Sequence, residues 1–129
     1  MRVEVIPGPV AGLVEFSGCL GVGIGRWNGM RAPVKGTFDV EFDVSLPVHW
    51  SSVDVLEGRG DDRVEISAVD PELVDFFGRV LDCDEEGVLS LSVGPTHLLL
   101  DTTGEPILGV VGQRVRVSGL ALEVFPYEL

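Results

Sequence analysis

Apolar and polar residues alternate with a period of two along much of this chain. The clearest stretch is Gly36 to Val44, where Phe38, Val40, Phe42 and Val44 take one parity and Asp39, Glu41 and Asp43 the other. Such alternation predicts a strand with one face on the core and one in water; a helix would scatter the carboxylates around its circumference. Phe77 to Val93 reads as two strands joined by an acidic turn, with Leu89, Leu91 and Val93 alternating with Ser90 and Ser92 and with Gly87 placed for a positive φ. Arg114 to Phe125 is the expected partner that completes this sheet, broken at Gly119 by a bulge or tight bend. Shorter strands are predicted at Arg2–Ile6, ended by Pro7-Gly8-Pro9, and at Gly12–Ser17, Val48–Leu56, Val64–Val69 and Leu98–Asp101. Asp70-Pro71-Glu72 has the composition of a helix start, with Gly78 as its stop, and predicts a short turn or helix at Pro71 to Asp75 before the next strand.

Eight to ten short, mostly antiparallel strands with little helix define an all-β class, a compact barrel or sandwich. The 129 residues predict one domain over 1–129, with sub-layers 1–56 and 64–129 joined by the polar loop 57–63. The predicted core places Phe38, Val40 and Phe42 on one buried face with Leu89, Leu91, Leu120 and Leu122.

Phe77 to Phe125 adds a family likeness. The segments FGRVLDCDEEGVLSLSV, LLLD and VGQRVRVSGLALEVFP resemble part of an oligonucleotide/oligosaccharide-binding (OB) fold in strand lengths and in the glycine, V-x-V strand, glycine, final-strand ending. The resemblance implies a small five-stranded barrel in the C-terminal part and carries no function, because this fold hosts many. Nucleic-acid OB domains present basic and aromatic residues on the barrel face. Here Arg79, Arg114 and Arg116 stand against a surplus of acids.

Charge narrows the partners. With 9 basic and 21 acidic residues the net charge is −12, which repels nucleic-acid phosphate and anionic membrane surfaces and favours a basic protein. The longest apolar run, Leu98 to Leu100, is too short to span a bilayer, and Met1 to Pro7 offers no signal-peptide core, so a cytoplasmic location is expected. Cys19 and Cys83 are expected as reduced, partly buried thiols.

No motif carries recognisable chemistry. Gly21, Gly23 and Gly25 lack the spacing and following helix of a phosphate cradle, and read as a glycine-rich loop or bulged strand pair with Arg26 and Trp27 at its tip. Asp82, Asp84, Glu86 and Gly87 imitate the start of a calcium loop, but Val93 stands where a bidentate Glu is required. His49 and His97 have no ligand spacing with Cys19, Cys83 or the carboxylates. The reading is therefore a non-enzymatic binding module with no metal and no cofactor. Its candidate binding residues are Arg26 and Trp27, types that dominate interface hot spots, and the acidic row Asp39, Glu41 and Asp43. An immunity or antitoxin-like role on a basic partner suits it. The alternatives are a nucleic-acid-binding OB-type domain using Arg26, Trp27, Arg31, Lys35, Arg79, Arg114 and Arg116, and a small-ligand barrel or unrecognised hydrolase with a pocket near Trp27 or Trp50.

Overall fold

The structure, a computed structural model, describes residues 1–127. Twelve strands are joined into one sheet system: β1 Arg2–Pro7, β2 Leu13–Gly18, β3 Gly21–Trp27, β4 Gly36–Val44, β5 Val48–His49, β6 Val53–Val55, β7 Arg63–Ile66, β8 Val74–Cys83, β9 Val88–Val93, β10 Thr96–Thr103, β11 Arg114–Leu120 and β12 Leu122–Pro126. A 3-10 turn at Trp50–Ser52 is the helical element among the described residues. The fold is all-β, as the alternation requires. Two strands exceed the expected number, one because the single strand foreseen over Val48–Leu56 is cut in two by that turn.

The first layer is a closed five-stranded barrel. β1, β2 and β3 form an antiparallel meander, β4 pairs antiparallel with β1, and β12 runs between β4 and β3, antiparallel to one and parallel to the other. The second layer repeats this order. β8, β9 and β10 form the meander and β11 pairs antiparallel with β8. The two outer edges are met by opposite ends of residues 48–55, β5 lying parallel to β10 and β6 antiparallel to β11. β7 pairs with the first half of β8 and touches β3, joining the layers. The expected layers 1–56 and 64–129 therefore exchange strands, β5 and β6 going to the second layer and β12 to the first, and the closed barrel comes from residues 2–44 and 122–126 rather than from 77–125.

The glycines of β3 have a packing reason. Phe16 and Val14 point into the barrel opposite Gly23 and Gly25. A Cβ on Gly23 would sit 2.3 Å from the Phe16 ring, and one on Gly25 would sit 2.8 Å from the Val124 side chain. Hydrogen at these positions lets large residues fill a narrow barrel without strain. Of the glycine-rich loop and the bulged strand pair expected here, the strand pair forms, without a bulge, and Arg26 and Trp27 stand at the end of β3, not at a loop tip.

The core is continuous across both layers, from Val3, Val5, Val14, Phe16 and Val40 to Phe76, Leu89, Leu91, Leu100 and Val115. Leu120 and Leu122 join it as expected, but Phe38 and Phe42 are only half-buried. Phe42 rests against Phe16 with ring centroids 4.8 Å apart. Truncating it therefore costs less than removal of a fully enclosed phenylalanine.

Local turn chemistry decides between the two forms expected after Asp70: residues 71–72 make a turn, and the strand that follows starts at Val74. Asp70 accepts a hydrogen bond from Glu72 N through its carboxylate and from Leu73 N through its carbonyl, and the chain then enters β8 at Val74 with no helix. A single helical turn is unstable alone, whereas Val74 and Phe76 gain full burial as strand residues paired with β7 and β11. Gly78 lies inside β8 and terminates nothing. The acidic β8–β9 turn forms as expected: Gly87 takes φ +85, and Asp84 caps Glu86 N and Val88 N at 2.9 Å. Gly119 takes φ +72 where the β8–β11 register shifts. Cys83 is half-buried, but Cys19 is exposed and both are free thiols. Burial, then Asp84 and Asp82, push the Cys83 thiol up from its ordinary value.

Candidate functional site

One end of the first barrel is built from the ends of β3 and β4 and the segment 28–35 between them. Trp27 and Phe38, both half-buried, meet there edge-to-face with centroids 5.1 Å apart. The Trp27 indole N–H donates to Arg31 O at 2.9 Å, which folds the segment over the barrel end. The result is a groove of about 590 Å³ lined by Trp27, Met30, Arg31, Val34, Phe38 and Tyr127. Met30 and Val34 are strongly exposed apolar residues on its wall. Such a patch beside aromatic side chains is the usual mark of a docking site on a soluble protein.

The acidic row runs beside this groove. Asp39, Glu41 and Asp43 are exposed on β4, as the alternation requires. Across the strand pairs, Asp39 faces Arg2, and Glu41 faces Phe125 and Asp43 faces Glu123 on β12. Each carboxylate has a local partner. Asp39 pairs with Arg2 at 3.3 Å, Asp43 accepts from Val44 N at 2.8 Å, and Glu41 accepts from the Tyr127 hydroxyl. That last bond, with burial and the charges of Glu41 and Asp39, pushes the Tyr127 phenol above its ordinary value. Tyr127 thus belongs both to the groove and to the acidic row. On its other side lies a cavity of about 330 Å³, with Glu41, Thr96 and His97 in its lining.

The structure brings Trp27 together with the start of β4 and leaves Arg26 exposed at the end of β3, where it pairs across to Glu123 on β12. Met30, Val34 and Tyr127 were not among the expected binding residues, and Phe38 was expected in the core instead. The available signal was the pair of isolated apolar residues Met30 and Val34 inside a Gly/Pro-rich connection.

The seven residues of the nucleic-acid alternative divide between layers. Arg26, Trp27, Arg31 and Lys35 surround the barrel end, whereas Arg79, Arg114 and Arg116 lie on β8 and β11. Trp50 is buried in the core at 4% exposure, so of the two tryptophans only Trp27 borders an opening. His49 Nδ1 lies 2.8 Å from Ser51 Oγ and accepts from Ser51 N, capping the 3-10 turn. Among the described residues no group of three His, Cys, Asp or Glu side chains is arranged to hold a metal ion, and no helix is long and apolar enough to cross a membrane.

Comparison of the chain with protein-family models, with curated proteins and with solved structures finds no match.

Proposed function

We propose that this protein is a non-enzymatic binding module that docks an extended segment of a basic protein partner against the end of the first barrel. One observation carries the reading: Tyr127 walls the apolar groove and also bonds Glu41, so an aromatic groove and an acidic row form one continuous surface. An apolar side chain seated against Trp27 and Phe38 supplies affinity, and Asp39, Glu41 and Asp43 attract and orient cationic neighbours in the same segment. Neutralising a basic toxin, as an immunity or antitoxin protein does, suits the size and the charge of −12.

A displayed library of unstructured peptides tests the reading. The expected binders combine an aromatic or large aliphatic residue with Lys or Arg. With such a peptide, Trp27→Ala raises the dissociation rate, whereas converting Asp39, Glu41 and Asp43 to amides slows association and flattens its salt dependence. If neither variant changes either rate while the fold is intact, the reading falls.

A further inference from the structure

The outer face of the second layer holds a cluster of opposite character. Side chains directly opposite one another on neighbouring strands share a face and lie about 4.5–5.5 Å apart at Cβ. Arg114 on β11 stands opposite Arg79 on β8, which stands opposite Ser92 on β9. The next row is Arg116 on β11, Phe77 on β8 and Arg63 on β7. Four of the nine cationic side chains of a strongly acidic chain therefore share this face.

The two rows differ in how their charge is met. In the second row, Arg116 pairs with Asp75 at 2.8 Å and Arg63 with Glu65 at 2.8 Å, and the Arg63 guanidinium lies 3.7 Å above the buried Phe77 ring. The Arg116 guanidinium is held even more firmly protonated by its bond to Asp75. In the first row, neither Arg79 nor Arg114 has a carboxylate within ion-pair distance among the described residues. Each donates to a main-chain carbonyl instead, Arg79 to Gly112 O at 2.5 Å and Arg114 to Asp61 O at 3.4 Å. Like charges set directly opposite destabilise a sheet. In addition, Nε of Arg114 and of Arg116 is buried with no acceptor, and the half-buried Ser92 hydroxyl has no bonding partner among the described residues.

We infer that Arg79, Arg114 and Ser92 form a binding site for a single compact oxyanion of the phosphate class. Two guanidinium groups with donors left over, in one cross-strand row with a free hydroxyl, supply the charge and the hydrogen-bond donors that a tetrahedral dianion takes. The surroundings limit its size. Asp54 faces Arg116 from β6, Glu65 flanks Arg63, and Asp61 borders Arg114. An extended polyanion laid over the face would meet these carboxylates, whereas one oxyanion centred on the first row has only Asp61 beside it, which contacts Arg114 through its main-chain carbonyl. This site is on the other layer from the groove and stands or falls independently of it.

Amide spectra of the whole 129-residue chain, titrated with inorganic phosphate at constant ionic strength, test the inference. Saturable shifts at residues 79, 92 and 114 are expected, with O-phosphoserine producing the same set. Arg79→Gln is the primary variant because the side chain is exposed, and it should weaken phosphate by about tenfold or more. Ser92→Ala should weaken it less. Lys35→Gln makes the same change of net charge away from the face and should leave affinity unaltered. Absence of saturable shifts through the millimolar range overturns the inference. So does equal weakening by Lys35→Gln, or an oligothymidylate that binds this face more tightly than phosphate.

Discussion

The two layers share a strand order but close their edges differently. In the first, β12 is a continuous strand with a five-residue register on β4, and its other edge runs along β3. In the second, the corresponding gap between β10 and β11 is met by only two residues of β5 and three of β6, with a 3-10 turn between them. The first barrel is narrow because Gly23 and Gly25 let Phe16 and Val124 pack onto bare backbone. The second carries a buried polar fastening: Asp75, 4% exposed, accepts from Arg116 and from Gly119 N at 3.0 Å, pinning β11 to β8 where the bulge interrupts their register. A full closing strand needs no such anchor, whereas a short one leaves the bulged pair to be fixed by other means.

Predictions that break or sharpen this contrast run from the core outward. Phe76 is 1% exposed in the second layer, and Phe76→Ala should cost about 3–5 kcal/mol in denaturant unfolding. A single transition for both layers would show that the exchange of strands makes them one cooperative unit; two separated transitions would show that the short β5–β6 closure uncouples them.

Asp75→Asn should cost roughly 2–3 kcal/mol, because it removes a charged acceptor from a buried site while the 41% exposure of the Arg116 side chain limits the penalty on that partner. Hydrogen exchange should then quicken in β11 ahead of β12. Uniform quickening would refute a local anchor.

In the first barrel, Gly23→Ala should destabilise by about 1–3 kcal/mol through displacement of the Phe16 ring. The companion variant Gly23→Ala with Phe16→Leu should recover part of the loss, and failure to recover would place the conflict elsewhere.

The smallest effect is spectroscopic. Tyr127 is the only tyrosine, so its ultraviolet titration is unambiguous. Its midpoint should lie above the ordinary value of about 10, because the neutral phenol bonds Glu41. The raised value means that this contact contributes to stability below that pH and is lost as pH rises through the folded-state midpoint, when phenolate meets carboxylate. Glu41→Gln should bring the midpoint back toward the ordinary value. An unchanged midpoint would separate the groove from the acidic row.

Much of this architecture was legible along the chain. Alternation at Phe38–Val44 and Leu89–Val93 specified strands and their faces, because a period of two has only one way to bury its apolar set. Gly87 and Gly119 marked a turn and a bulge for the same local reason, a backbone conformation other residues avoid. Two kinds of information were not local. The first is which strand fills which gap: β12 and residues 48–55 cross to the opposite layer, and pairing at such sequence separation depends on which edges remain open once the meanders have formed. The second is what an inward glycine or an end-of-strand aromatic faces. Gly23 reads as flexibility until Phe16 is placed over it, and Trp27 reads as a loop tip until Phe38 and Tyr127 gather beside it. The sequence by itself determined the all-β class, the acidic face and most strand positions, because these follow from side-chain polarity and backbone preference. Only the tertiary structure decided the groove and the arginine row, because each is assembled from strands far apart in the chain, through cross-strand register.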